Sequence, residues 1–196
     1  MPYSAEHKQQ TREKILQSAI ESFSRQGFEN TSIDEVMANA EMTRGAFYAH
    51  FSSKSELYQQ AILTGAMNSK LVKQKPEDID DQQWVQQLVK GYLSIDHVKQ
   101  KSGACPLAFL VTDVAVSEPE VRHTYTQVFQ NMNKRITRSI SQFSDSNEED
   151  VFAAMAMMIG GVAIGRSLDS KTTLDKLLVS CEAAVLNLLN GNQPKS

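Results

Sequence analysis

Three residues between positions 44 and 54 have types and places that suit contact with a nucleic acid: Arg44, Gly45 and Lys54. Arg44 is a long donor suited to the edge of a guanine. Glycine inside a helix costs roughly 1 kcal/mol against alanine, so Gly45 is best explained by the close approach of a phosphate or base edge. Lys54 opposes the dipole at the start of a predicted helix by up to about 1 kcal/mol. Its position therefore indicates an external anion, and a helix N-terminus itself favours phosphate.

The pattern around these residues predicts two short helices, a tight turn and the start of a longer helix. Capping-box spacings begin at Ser32 and Ser53, and each indicates a helix start. Thr43 can cap the helix between them from its hydroxyl. In that helix Phe47 and Phe51 lie four residues apart and can face inward. The side chains left to project elsewhere are Arg44, Ala46, Tyr48 and His50.

The run TRGAFYAHFSSKSEL, with GFENTSIDEVMANA before it, resembles the TetR family of bacterial transcriptional regulators over most of the first sixty residues. The resemblance implies that residues 43–46 approach base edges or nearby phosphates, and that Tyr48, His50 and Lys54 hold the DNA backbone. With Ser32 included, the predicted DNA contacts are Ser32, Thr43, Arg44, Gly45, Ala46, Tyr48, His50 and Lys54.

The composition is that of a globular protein, with 196 residues, 41% hydrophobic and 22% charged, and a net charge of -3. The first sixty residues carry six Lys or Arg against eight Asp or Glu. Any DNA affinity must therefore come from a few placed cations and helix N-termini, which predicts modest non-specific binding. No apolar run is long enough for a membrane helix, and we expect a cytoplasmic protein.

Apolar residues recur at helical spacing along the whole chain and predict an all-α fold. We expect a three-helix helix-turn-helix DNA-binding domain at residues 1–52 and a connecting helix at 53–75. A helical ligand-binding and dimerisation domain should follow at 76–196. The connecting helix, running to about Lys73, is the expected lever between the two domains. Capping boxes predict later helix starts at Ser117, Ser146 and Thr172.

The last two predicted helices are apolar on more than one side, which requires two burial partners. We therefore predict a homodimer with a four-helix interface, in which Gly161 and Gly165 let helices approach closely. The alternative is that both helices pack only within one chain. The predicted interface residues are Phe152, Met155, Ile159, Gly161, Gly165, Leu174, Leu178, Cys181, Val185 and Leu188. Symmetry would then place two reading helices on a near-palindromic operator in double-stranded DNA.

Aromatic and thioether side chains in the second half suit an apolar or aromatic small-molecule inducer. The predicted ligand-binding residues are Trp84, Leu88, Tyr92, Cys105, Phe109, Tyr125, Phe129, Met132, Met155 and Met158. Each of them has plain core packing as its alternative.

The cysteines Cys105 and Cys181 are too few for a disulfide framework in a reducing compartment. Cys105 precedes a proline suited to the first helical position. A thiol at a helix N-terminus can be reactive, so Cys105 is either a sensor of oxidants or electrophiles or a small buried residue filling space. Cys181 is expected to be buried and inert.

The histidines lie scattered, and neither His97 nor His123 has metal-ligand neighbours in sequence, so we assign no metal site and no cofactor. We expect these two side chains at the surface or at a pocket rim.

Enzyme motifs are missing from the sequence: it has no Gly-rich phosphate loop, zinc-type histidine pair or nucleophile motif. The favoured function is a DNA-binding repressor released from its operator by a ligand or by cysteine modification. The alternatives are a helical interaction protein without specific DNA binding and, last, an enzyme.

Overall fold

The computed structural model describes residues 5–68, 75–101 and 105–191, and the regular structure among them is helical, as the sequence predicts. The helices, in chain order, are α1 Ala5–Asn30, α2 Ile33–Asn39, α3 Arg44–Phe47, α4 Lys54–Asn68, α5 Asp81–Tyr92, α6 Ile95–Val98, α7 Pro106–Phe109, α8 Val111–Ala115, α9 Pro119–Ile140, α10 Glu148–Gly165 and α11 Lys171–Leu189. The predicted extension of the connecting helix to Lys73 lies outside the described residues.

Two compact units divide the chain. The first unit combines the described parts of Met1–Asn68 and Ala104–Val128, and the second combines those of Ser69–Gly103 and Phe129–Ser196. α4 belongs to the first unit as far as it is described, and the boundary in the second half falls within α9.

In the first unit, α1 breaks at Gly27, where the backbone turns to φ 79° and ψ 178°. Beyond the break Phe28 folds back, and its ring stacks against Phe23 at 6.1 Å between centroids. Tyr58 of α4 packs edge-on against Phe23 at 4.7 Å. The Asp113 carboxylate of α8 accepts the Phe28 N–H at 3.0 Å and the Tyr58 hydroxyl. One carboxylate therefore connects α1, α4 and α8.

Several later helices begin at residues other than the predicted caps. α10 is capped by Asn147, because its side chain accepts the Asp150 N–H at 2.9 Å and the Asp150 carboxylate accepts the Asn147 N–H at 2.9 Å. The predicted cap, Ser146, donates instead to the Leu188 carbonyl at 2.8 Å. α11 is capped by Ser170 and not by Thr172.

After Cys105 the chain forms two short helices, α7 and α8, which are divided at Leu110. α9 begins at Pro119 without a cap from Ser117, because the Ser117 hydroxyl donates back to the Asp113 carbonyl at 3.0 Å.

In the second unit, α10 and α11 pack closely against each other. A Cβ atom added at Gly161 would lie 3.0 Å from Leu93 Cδ2 and 3.3 Å from Cys181 Sγ, and one at Gly165 would lie 2.8 Å from Leu174 Cδ1. Both glycines therefore permit close packing inside one chain, whereas the sequence analysis assigned that role to an approach between copies.

Candidate nucleic-acid interface

Two buried rings hold α3 on the first unit. Phe47 and Phe51 are buried, as predicted, with their centroids 5.7 Å apart. The Arg12 guanidinium of α1 lies 5.1 Å from the centroid of the Phe51 ring. Because α3 has only four residues, these contacts and not its own hydrogen bonds fix its direction.

The preceding helix, α2, is fixed to α1 by a buried hydrogen bond from the Ser18 hydroxyl to the Val36 carbonyl, at 2.7 Å. Ser32 caps α2, as predicted, and accepts the Glu35 N–H at 3.1 Å. The return arm of the predicted capping box is not formed, because the Glu35 carboxylate accepts from Gln26 instead.

The turn between α2 and α3 passes through Glu41, a residue with a left-handed φ of 59°. The Met42 N–H closes the turn on the Met37 carbonyl at 2.8 Å. Thr43 follows at the predicted cap position, but its hydroxyl makes no capping hydrogen bond. The tight turn predicted between two short helices is therefore present, without the predicted hydroxyl cap.

Most of the predicted DNA contacts are accessible. Thr43, Arg44 and Gly45 are exposed, and Tyr48 is 59% exposed while its ring packs edge-on against Phe47. A Cβ atom added at Gly45 would meet only Thr43 Oγ1, at 4.0 Å. Packing within the described chain therefore does not require a glycine at this position. The other predicted contacts are Ser32, which is exposed, and Ala46, His50 and Lys54, which are half-buried.

Arg44 forms an ion pair that the sequence analysis missed. Its Nη1 donates to Asp34 Oδ2 at 2.6 Å, and the side chains of Arg44 and Asp34 are 61% and 59% exposed. The two residues are ten positions apart, in different helices, so the helical i to i+4 rule could not have found the pair.

Lys54 is held by its own chain. Its ammonium lies 4.2 Å from the centroid of the Phe28 ring and donates to the Glu29 carbonyl at 3.5 Å. The start of α4 is stabilised further by Glu56, whose carboxylate accepts the Ser52 N–H at 2.7 Å and the Ser52 hydroxyl at 2.6 Å. These hydrogen bonds hold the pKa of Glu56 below its usual value. Lys54 therefore has partners other than the external anion that its position indicated.

The surroundings of His50 favour its neutral form in the free protein. Burial lowers its pKa from the usual value, and the positive charges of Lys8 and Arg12 lower it further. Its Nδ1 has no hydrogen-bond partner among the residues described here. In the free protein the ring therefore favours its neutral form, which can still form a hydrogen bond with DNA.

The predicted ligand residues are divided between the two units. Trp84, Leu88, Tyr92, Phe129, Met132, Met155 and Met158 belong to the second unit, and Cys105, Phe109 and Tyr125 belong to the first. Tyr125 donates its hydroxyl to the Leu107 carbonyl at 2.7 Å. A cavity of about 120 Å³ in the first unit is lined by Phe28, Tyr58, Asp113 and their neighbours, and by none of the predicted ligand residues.

Asn133 of α9 is a polar residue of the second unit that the sequence analysis missed. It is 1% exposed, and its Nδ2 has no hydrogen-bond partner in the described part of the chain. Its Oδ1 accepts weakly from the Thr137 hydroxyl, at 3.4 Å. The sequence signal was an asparagine on the apolar stripe of α9, directly after Met132 and three residues before Ile136.

Among the cysteines and histidines of the second half, Cys181 and His97 are placed differently from expectation. Cys105 stands at the N-cap of α7 but is buried. Cys181 is half-buried, not buried, and burial raises its pKa. His97 is buried, contrary to the expected surface position, and its Nδ1–H donates to the Tyr92 carbonyl at 2.6 Å. His123 is exposed.

Most of the predicted interface residues are buried within their own chain and leave no surface for a second copy. These are Met155, Ile159, Gly161, Gly165, Leu174, Leu178 and Val185. Phe152 is exposed, and Cys181 and Leu188 are half-buried. Ile164 and Val179, which were not among the predicted interface residues, are 54% and 66% exposed. A dimer contact made by α10 and α11 would have to use the exposed or half-buried residues: Phe152, Ile164, Val179, Cys181 and Leu188.

The described residues contain no group of three or more His, Cys, Asp or Glu side chains placed to hold a metal ion. Within the same ranges, no helix combines the length and apolar character needed to cross a membrane.

Comparison with known proteins places the helix-turn-helix region in a known group. The family profile described as bacterial regulatory proteins, tetR family, matches residues 15–61. AcrR of Shigella flexneri, an HTH-type transcriptional regulator, is 46% identical over 52 residues, which are 26% of this chain and 24% of that protein. IcaR of Staphylococcus aureus, the negative transcriptional regulator of the biofilm operon icaADBC, is 31% identical over 51 residues, or 26% of this chain and 27% of IcaR. The chain thus matches about a quarter of the length of these two relatives.

The fold likeness extends much further along the chain. A crystal structure of a TetR-family transcriptional regulator from Cytophaga hutchinsonii matches with a TM-score of 0.74 and covers 94% of this chain and 96% of that one, at 18% sequence identity. The all-α fold with an N-terminal helix-turn-helix domain is therefore confirmed. Residues 15–61 thus carry the signature domain of the tetR family of bacterial regulatory proteins, on a fold that the chain shares with solved TetR-family regulators.

Proposed function

We propose that the chain is a homodimeric repressor that binds a near-palindromic operator through α3 and is released by a small apolar or aromatic molecule. The DNA-binding part of this proposal depends on the surroundings of Gly45. This glycine is exposed within a helix, and an added Cβ would meet only one atom, at 4.0 Å. Since glycine is unfavourable in a helix and the described packing does not need it, close approach of an external body explains the choice.

The residues beside Gly45 suit DNA as that body. Arg44 is exposed, and its guanidinium group carries several N–H donors that suit the edge of a guanine. Tyr48 is an exposed aromatic ring with a hydroxyl that can donate to a phosphate oxygen. Repression, as opposed to activation, is supported by the likeness to IcaR, which is named as a negative regulator.

Exposed apolar residues on α10 and α11 support a homodimer. The exposed Phe152 and Ile164 and the half-buried Gly160 between them lie along one face of α10, at spacings of eight and four residues. A Cβ added at Gly160 would meet nothing within 4 Å, and Val179 of α11 is exposed. A second copy covering this face would bury apolar surface that a single chain leaves in water.

The second unit offers an apolar interior for a ligand. Trp84, Met155 and Met158 are buried there, and the Asn133 Nδ2 group, which has no hydrogen-bond partner among the described residues, adds a donor. A buried donor without a partner costs about 1 to 3 kcal/mol, and an acceptor on a ligand would offset that cost. We favour a ligand over cysteine modification because Cys105 is buried, and an oxidant must reach the thiol to react.

The test is a comparison of wild type with Gly45→Ala for both operator binding and stability. An operator is first obtained by selection from a pool of random duplexes. The added methyl group should leave the free energy of unfolding unchanged or raise it by up to about 1 kcal/mol, while operator affinity falls at least about tenfold because the methyl blocks close approach.

Two outcomes would contradict the DNA-binding proposal. One is a wild-type chain that selects no sequence from the pool. The other is a Gly45→Ala variant that binds the operator as tightly as wild type does. For the inducer, compounds that change the fluorescence of Trp84, the single tryptophan, should also release the operator. Compounds that bind without releasing DNA would exclude the proposed release.

A further inference from the structure

We propose that Asp34 is a positioning residue for base selection, which orients Arg44 toward a guanine and disfavours its contact with phosphates. This inference rests on the proposed DNA-binding function. It is carried by the ion pair between Arg44 Nη1 and Asp34 Oδ2, at 2.6 Å, which joins the first turn of α2 to the start of α3.

The contact leaves the reading edge of Arg44 available. A guanidinium group carries five N–H donors in one plane, and the pair uses only Nη1. A guanine accepts two parallel hydrogen bonds, at O6 and N7. Asp34 can therefore keep its hydrogen bond while the remaining donors meet the base. Because the guanidinium is planar, fixing one nitrogen also restricts the orientation of the others.

The same carboxylate acts against phosphate binding. A free arginine gains affinity from any phosphate by releasing counterions. Arg44 with Asp34 beside it is a neutral pair, and the carboxylate is repelled by every phosphate that the guanidinium approaches. A guanine edge carries no formal charge, so it meets a much smaller repulsion. The pair therefore lowers non-specific affinity more than it lowers affinity for the correct base.

The exposure of the pair is consistent with this role. Both side chains are about three-fifths exposed, at 61% and 59%, so the ion pair contributes little to the stability of the fold. Substitution of Asp34 should therefore alter DNA selection without unfolding the protein.

The experiment compares Asp34→Ala and Asp34→Asn with Glu21→Gln as the matched control. Glu21 is an exposed carboxylate of α1 with a Gln17 amide as its partner, so its substitution makes the same change in net charge as Asp34→Asn away from Arg44. Arg44→Ala and the double variant Asp34→Ala with Arg44→Ala complete a double-mutant cycle. Each protein is put through selection from random duplexes and through a salt titration of binding to non-operator DNA.

We expect Asp34→Ala to reduce the preference for guanine roughly two- to fivefold, as suits an exposed ion pair, at the same base position that Arg44→Ala affects. The double variant should show no loss beyond that of Arg44→Ala. Both Asp34 variants should bind non-operator DNA more tightly, with a salt slope steeper by about one, because Arg44 then neutralises a phosphate. Glu21→Gln should leave slope and preference unchanged.

Three outcomes would overturn the inference. Equal effects of Asp34→Asn and Glu21→Gln would show that only net charge matters. A change in preference at a different base position would show that Asp34 reads a base itself. An unchanged selection profile in Asp34→Ala would exclude any part in base choice. If wild type selects no sequence, the proposed function fails first, and that result is distinct from the other three.

Discussion

His50 is the predicted DNA contact whose charge depends on pH. Burial and then the charges of Lys8 and Arg12 lower its pKa in the free protein, whereas a nearby phosphate would favour the protonated ring. DNA binding should then take up a proton, so operator affinity should rise as the pH falls from about 7.5 to about 5.5. Measuring operator affinity across this pH range at constant salt tests whether affinity rises as the pH falls.

The free protein should respond to acid in the opposite direction. A folded-state pKa below the unfolded value means that the contribution of His50 to stability is complete above about pH 6.5 and is lost as the pH falls through the folded pKa. His50→Gln should remove the acid-dependent gain in DNA affinity, while His7→Gln should retain it. An affinity that falls on acidification in wild type would exclude a phosphate beside His50.

At the scale of elements, the break in α1 at Gly27 has the clearest energetic consequence. A backbone at φ 79° and ψ 178° lies in a region that is essentially restricted to glycine and costs other residues about 1 to 3 kcal/mol. An added Cβ would also lie 2.8 Å from Asp113 Oδ1. We expect Gly27→Ala to lower the free energy of unfolding by about 2 kcal/mol or more, measured by urea denaturation.

Gly45→Ala is the matched control for this prediction, because Gly45 has open space around it and no positive φ. The two variants should change stability in opposite directions or differ by at least about 2 kcal/mol. Equal stabilities would mean that α1 can continue without its break, and that the hydrogen bond from the Phe28 N–H to the Asp113 carboxylate contributes little to the stability of the fold.

The elements themselves were largely predictable because each one follows from local spacing. Ile15, Leu16 and Phe23 mark the buried stripe of α1, and Gly27 marks its break. The first residue of a helix was not predictable where two neighbouring polar residues could each cap it. Asn147 rather than Ser146 caps α10 because Leu188, forty-two residues away, accepts the Ser146 hydroxyl. The contact between Asp113 and Phe28 joins residues eighty-five apart, and no sequence pattern indicates it.

At the scale of the whole molecule, contacts between distant residues also decide which apolar residues of α10 and α11 are buried and which are exposed. Both helices are apolar on several sides, which predicted more than one burial partner for them. The sequence could not assign the faces, because Gly161 and the neighbouring Gly160 are identical in type while only Gly161 faces its own chain. The packing of α10 against α11 within the chain determines which of the two glycines is buried.

The proposed dimer depends on the outward face, and Val179 is the residue that tests it. A carboxylate introduced there appears twice at a symmetric contact. Without a partner, each copy should cost at least about 1.4 kcal/mol, which together raises the dimer Kd about a hundredfold. Sedimentation of Val179→Asp should show monomers that no longer retain the operator. Val116→Asp places the same charge at an 87% exposed valine of the first unit and should remain dimeric. A dimeric Val179→Asp together with a monomeric Val116→Asp would move the contact away from α10 and α11.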